Sequence, residues 1–276
     1  MFKADLNIQL VSTPKNGGPA VAKNYGVKQS TNKYIMFMDA GDTFISSNII
    51  YTLEKTINQD PRLLFLSTGF YEETEDHSLN YIDATNNTWR GKVYRKDFYE
   101  RYHLHFLEES SFLNDDIGMN MLARLVTCDY QICHLDIPAI IWQYNADSIT
   151  RRNNYQYSYK GNNKGIAAAA TYALTEAEVF GVKPQRLDEL KCSVLCGMFH
   201  NYIGTLHIQP QYAEDALLGA KEFYIKFFKD KNIDIHMLID LYNITLLDRL
   251  QEQHWSASVC KIPTITFIDF IRALDE

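Results

Sequence analysis

The sequence predicts an α/β fold, a mainly parallel sheet over residues 1–155 followed by an α-helical domain over residues 156–276. Three observations carry that expectation. Up to about residue 150, short apolar segments of strand length alternate with segments of helical period, the pattern of layered strands and helices. From about residue 162 the period is helical throughout. With 46% apolar composition, 276 residues can bury one large core or two smaller ones.

The elements follow in order. "NIQLVS" (7–12), "YIMFMD" (34–39), "LLFLSTGFY" (63–71) and "AIIWQY" (139–144) are short, apolar and bounded by polar or turn residues, which predicts buried strands. "PAVAKNYGVKQS" reads as a helix with Pro19 in its first turn, where the missing N–H costs nothing. "SSNIIYTLEKTINQD" predicts a second helix with a serine N-cap. In the second half, Ile166, Ala169, Ala170, Ala173, Leu174 and Ala177 share one helical face. Further stripes run through Leu190, Val194, Met198 and Tyr202, through Ala213, Ala216, Leu217, Ala220, Phe223, Tyr224 and Phe227, and through Leu238, Tyr242, Leu246 and Leu250. No repeat of fixed period marks a solenoid.

Composition narrows the function classes. A net charge of −7, from 27 basic and 34 acidic residues, argues against a strong sequence-independent grip on phosphate backbones. No apolar run reaches the ~18 residues that would span a bilayer. The opening "MFKADLNIQLVSTPKN" lacks the basic, apolar and small-residue order of a signal peptide, so a cytoplasmic protein is expected. Cys128, Cys133, Cys192, Cys196 and Cys260 are scattered and odd in number, which reads as reduced thiols. Cys192 and Cys196, four apart on one helical face, read as core.

The chemistry-bearing stretch is "NGGPAVAKNYG" (16–26) followed by "KYIMFMDAGDTF" (33–44). Gly17 and Gly18 permit close approach of a ligand to the backbone, and the helix start behind them can face a phosphate. The strand after it ends at Asp39 and Asp42, two carboxylates just outside the carboxyl edge of a parallel sheet, where open α/β sheets bind ligands. Paired carboxylates there can hold Mg²⁺ or Mn²⁺ shared with a diphosphate. A second acidic pair, Asp115 and Asp116, opens a helix, where the macrodipole alone would favour it.

Taken together, "NGGPAVAKNYGVKQSTNKYIMFMDAGDTF" resembles the central signature of the family 2 glycosyltransferases, whose fold is the Rossmann-like GT-A type: a glycine-led turn, an alanine-arginine-asparagine helix, and a strand ending in a DxD-type metal motif. Two further blocks are similar in order and spacing. "RGKVYRKDFYERYHLHFLEESSFLNDDIGMNMLARL" (90–125) is similar to the acceptor-side region, in which Asp115 and Asp116 match the family's acidic pair. "IWQYNADSITR" (141–151) resembles the segment that closes the domain. The chain departs from the pattern at Gly41, where the metal motif usually carries aspartate, at Lys23, where arginine is usual, and at Gln143, often arginine. The family's first strand, helix and second strand would precede residue 7, so the sheet is expected to be N-terminally abbreviated, with a second chain, a symmetry mate or further natural sequence filling the gap.

The resemblance implies transfer of a sugar from a nucleotide-diphosphate donor, a UDP-sugar first among them, to a carbohydrate or other hydroxyl, with inversion and with Mn²⁺ or Mg²⁺. It implies a metal held by Asp39 and Asp42, and donor contacts from Asn16, Gly17, Gly18, Lys23, Asn24 and Asp39. Asp116 would be the general base with Asp115 orienting the acceptor or that base, and Lys92, Arg151 and Arg152 would serve the acceptor or diphosphate region. Two other classes stand beside it: a degenerate GT-A module that binds without catalysis, and a transferase whose acceptor is a nucleic-acid base. The basic, tyrosine-bearing "RRNNYQYSYKGNNKG" (151–165) is a linker or a closing segment, and His103 and His105 read as a surface pair.

Overall fold

A computed structural model describes residues 8–85, 88–108, 115–148, 161–231 and 265–276. Its centre is β3 (Phe65–Glu73), which grows from the apolar "LLFLSTGFY" run and is buried over its first six residues. Parallel to it lies β6 (Ile132–Trp142), with a register shift around Gly69, opposite Pro138. Proline has no N–H for the ladder, which fits an irregularity at that point. On the other edge of β3, β5 (Lys92–Arg95) pairs with Phe65–Ser67 and β4 (Leu79–Ile82) with Phe70–Glu73, both antiparallel. β1 (Tyr34–Met36) pairs antiparallel with β5, and β2 (Thr43–Phe44) antiparallel with β6.

The sheet is therefore mixed, and the expectation of a mainly parallel sheet is corrected: only β3 and β6 run parallel among the described pairs. Five residues join β3 to β4, long enough for a hairpin and far too short for a parallel crossover. The expected strand over 7–12 is also corrected. Residues 8–13 have no strand pairing, and Ile8 and Leu10 are 83% and 94% exposed. An apolar run becomes a strand only when a neighbour takes up its backbone groups, and among the described residues β1 has β5 on one side and no strand on the other.

Alternate strand residues feed two cores, as the period of two requires. Leu66, Phe70, Val93 and Ile140 face α2 (Ile49–Gln59), which buries Ile49, Leu53 and Ile57. The predicted serine cap of α2 is absent: the N-cap position is Asn48, with no side-chain cap bond. Phe65 and Tyr94 face the opposite layer, containing α1 (Gly18–Gln29), α3 (Lys96–Arg101) and α4 (Ile117–Leu125). That core continues without a break into α5 (Asn162–Val179), α6 (Pro184–Ile208), α7 (Ala213–Phe227) and α8 (Phe267–Asp275). The alanine stripe of α5 is fully buried at Ala169, Ala170, Ala173 and Ala177. The expected stripe at 238–250 lies outside the described residues.

Two polar devices fix the helices where the site needs them. Asn163, fully buried, donates from Nδ2 to the carbonyls of Met198 (3.0 Å) and Ala216 (2.9 Å) and so ties α5 to α6 and α7. Arg186 of α6 donates to the carbonyls of Arg124, Leu125 and Thr127 at 2.8–3.0 Å, satisfying the orphan acceptors at the C-terminal end of α4. The helical half thus sets the position of α4, whose opposite end begins at Asp116. Cys192 and Cys196 are buried, as expected, and like Cys128 and Cys133 are in no disulfide.

Candidate active site

Beyond β1 the chain turns sharply, with the Asp42 N–H donating to the Asp39 carbonyl at 3.2 Å. Gly41 makes that turn at a φ of +100° with open space around it. An aspartate here would occupy a backbone region that L side chains rarely adopt, which gives this chain's departure from the metal motif a local physical reason. The turn aims both carboxylates at two cations. Lys23, on α1, places Nζ 2.8 Å from Asp39 Oδ1. Arg90 donates from Nη2 to Asp39 Oδ2 at 3.0 Å, and its Nε stands 3.7 Å from Asp42 Oδ2. The guanidinium lies between the rings of Trp89 and Trp142, 4.6 and 4.2 Å from their centroids, while Lys23 Nζ lies 4.4 Å from the Trp89 ring. Such packing over aromatic faces suits desolvated cations.

The two carboxylates differ in exposure, 39% at the Asp39 side chain and 5% at Asp42. Burial pushes the Asp42 carboxyl up, opposed first by Arg90. Its Oδ2 is buried and accepts no hydrogen bond. An orphaned carboxylate oxygen beside a second carboxylate is the donor set that a hard divalent cation shares with substrate phosphates, so the residues present fit Mg²⁺ or Mn²⁺. Among the described residues no cluster of three protein ligands supplies a complete metal site.

Trp89 and Arg90 sit in a turn that also governs the second acidic pair. The turn is closed by Lys92 N–H to the Trp89 carbonyl (3.2 Å) and by Arg90 N–H to Thr88 Oγ1 (3.3 Å). Gly91 passes through it at a φ of +71°, where an added Cβ would come within 2.5 Å of Thr68 Oγ1. Thr68 in turn donates from both its N–H and its hydroxyl to the Gly91 carbonyl, each at 2.9 Å. From this pinned turn the Trp89 N–H donates to Asp116 Oδ2 at 3.0 Å. Burial pushes the Asp116 carboxyl up, and the Trp89 N–H is the first influence holding it down. Asp115 is pushed up to about 6, by burial and then by the Asp116 charge. Among the described residues neither carboxylate makes an ion pair, so the pair is held in a state that accepts a proton readily.

The structure thus brings Lys23, Asp39 and Asp42 together and links them to Asp115 and Asp116 through one turn. Asn16 accepts from the Gly18 N–H, the first of α1, at 3.1 Å, and the N-cap residue Gly17 makes no side-chain bond to the N–H groups that follow. Asn24 differs from expectation. Its amide donates to the Phe106 carbonyl (2.8 Å) and Glu108 Oε1 (3.0 Å) and accepts from the Phe106 N–H (2.9 Å), so it clamps the chain after α3 instead of facing a donor. Lys92, expected to meet acceptor or diphosphate, is 1% exposed. Arg151 and Arg152 lie outside the described residues. Sequence reasoning missed Arg90, Trp89 and Trp142. The available signal was that one of the chain's three tryptophans, Trp89, adjoins the arginine that opens the 90–125 block and a second, Trp142, lies in the 141–151 block. His103 and His105 are beside Tyr172 and Glu176, and no metal cluster forms there among the described residues.

Residues 1–116 match the family model described as Glycosyl transferase family 2. An uncharacterized glycosyltransferase of Rickettsia bellii (strain RML369-C) is 32% identical over 95 residues, which is 34% of this chain and 13% of the relative. EpsJ, an uncharacterized glycosyltransferase of Bacillus subtilis (strain 168), is 27% identical over 136 residues, covering 41% of this chain and 39% of its own length. The chain therefore aligns with well under half of each relative. Among solved structures, S. aureus TarS 1–349 aligns over 87% of this chain and 74% of its own at a TM-score of 0.50 and 12% identity, which supports the GT-A-like α/β fold. Among the described residues no helix is long and apolar enough to cross a membrane.

Proposed function

We propose that this chain transfers a glycosyl group from a nucleotide-diphosphate sugar, with a UDP-sugar as the first candidate, to an acceptor hydroxyl with inversion. The observation that carries the reading is the Thr88–Lys92 turn, which joins a cation-lined carboxylate pair to a second pair poised to take a proton. Lys23 and Arg90 would meet the diphosphate, and the N–H groups at the start of α1 add donors for it. Asp42, with its orphaned oxygen, and Asp39 would hold Mn²⁺ or Mg²⁺, which when bound offsets charge on the departing diphosphate. Asp116 takes the proton of the acceptor hydroxyl while that oxygen forms a bond to the anomeric carbon. The bond from that carbon to the diphosphate oxygen breaks, and its electron pair leaves with the nucleotide. A single displacement of this kind inverts the carbon.

A panel of UDP-, GDP- and dTDP-sugars, scored by thermal shift with and without Mn²⁺, tests the reading. A donor at 100 times its Kd stabilises the fold by about 2.7 kcal/mol. One donor class is expected to raise Tm in a Mn²⁺-dependent way, and Asp42→Asn is expected to lose most of that dependence. No shift with any donor, or unchanged Mn²⁺ dependence in Asp42→Asn, would count against it. Donor binding without either hydrolysis or transfer would instead identify a binding module.

A further inference from the structure

Lys92 is the first residue of β5 and, at 1% exposed, one of the most deeply buried side chains of the protein. A lysine is seldom buried in this way without a task, because its ammonium loses hydration that a leucine would not miss. Its Nζ donates to the carbonyl of Thr88. The other end of that same peptide group is the Trp89 N–H, which donates to Asp116 Oδ2. A cation on the oxygen and a carboxylate on the N–H polarise one amide in the same sense, and each contact strengthens the other. We propose that Lys92 is a positioning residue for Asp116, acting through the Thr88–Trp89 peptide to hold that carboxylate ionised and aimed.

The geometry makes this more than proximity. The Gly91 carbonyl is held by Thr68, and the Lys92 N–H closes the turn on Trp89, so the peptide between the two groups cannot rotate away from either. Lys92 is too enclosed to meet a substrate itself. Among the described residues the charged groups that face it are Arg124 of α4, Asp116 at the start of α4, and Asp83 after β4. Burial and Arg124 pull its ammonium down to about 7, and Asp116 and Asp83 oppose them. The catalytic consequence rests on the reading of Asp116 as the base, whereas the relay through the peptide does not.

The test reads both separately. In protein labelled with ¹⁵N and with ¹³C at aspartate and lysine, Asp116 is assigned by its loss in Asp116→Asn. Lys92→Met is expected to move the Trp89 amide proton upfield and to raise the Asp116 midpoint by about one pH unit, the size expected when a charge-assisted contact is weakened. Should Lys92→Met fail to fold, the wild type decides: the Trp89 amide proton must show an inflection at the Lys92 titration midpoint. A folded Lys92→Met with both signals unmoved, or a wild-type Trp89 amide blind to the Lys92 titration, overturns the proposal. With a donor from the panel, Lys92→Met should shift the acid limb of kcat/KM upward by the same unit and leave donor KM within about twofold. NMR shifts without any transfer would uphold the relay and sink the glycosyl-transfer reading.

Discussion

Asp39 and Asp42 look onto Lys23 and Arg90, whereas Asp115 and Asp116 look onto backbone N–H groups and each other. The first pair lies in the turn that follows β1, and the second leads into α4. The difference lies in what the rest of the fold brings to them. Cations beside the first pair are what the proposed function would use to meet an anionic diphosphate. Burial with no cation in direct contact among the described residues pushes the carboxyls of the second pair up, and a carboxylate of that kind takes a proton at neutral pH far better than one fixed in an ion pair. One turn, 88–92, serves both, with Arg90 directed to one and the Trp89 N–H to the other.

The sharpest way to break this contrast is Asp116→Asn. Turnover should fall by ~10²- to 10⁴-fold, the range for a lost acid-base group, while donor affinity stays within about twofold. Steady-state kinetics beside donor titration separates the two. A crippled Asp115→Asn with a mild Asp116→Asn would exchange the roles within the pair and leave the contrast between pairs standing.

Arg90→Lys sharpens the other side. Lysine keeps the charge but loses the flat fork that lies between Trp89 and Trp142 while reaching Asp39. About tenfold weaker donor binding is expected, roughly 1.4 kcal/mol, with turnover at saturating donor little changed. Calorimetric titration with the donor found by thermal shift reads it, and wild-type affinity in Arg90→Lys would remove Arg90 from the donor side.

The first pair was legible in the sequence because it is local. A short apolar strand followed within two residues by "MDAGD" places its carboxylates in the turn beyond the strand however the remaining strands are ordered. The helical half was legible for the same reason, since a stripe such as Ala169, Ala170, Ala173 and Leu174 needs only the period of one helix to be read. What escaped depends on contacts far apart in sequence. Arg90 reaches Asp39 across 51 positions. Asn24 sits beside Lys23 on α1, yet its amide is committed to Phe106, 82 positions away. Strand direction was misread because alternation of strand and helix does not say which way a strand returns, and residues 8–13 were misread because apolar character does not supply a pairing partner.

The smallest effect tests the second pair without any substrate. With its carboxyl pushed up to about 6 in the fold, against about 3.9 for an unfolded aspartate, Asp115 binds a proton more tightly when folded. Between about pH 4 and 6 the native state therefore carries more protons than the unfolded state, and stability falls as pH rises through that window. At pH 7 the full penalty is present, and at pH 4 it is nearly gone. Asp115→Asn removes the titrating group, so its advantage over the wild type should be largest at pH 7 and shrink towards pH 4. Two pH units correspond to about 2.7 kcal/mol; because the side chain is partly exposed and screened, roughly 1–2 kcal/mol is expected. Urea unfolding of both proteins at pH 7 and pH 4.5 measures the difference. An Asn variant that is less stable than the wild type by the same amount at both values would show that the Asp115 carboxylate supports the fold, and the second pair would then not be held against its ionisation.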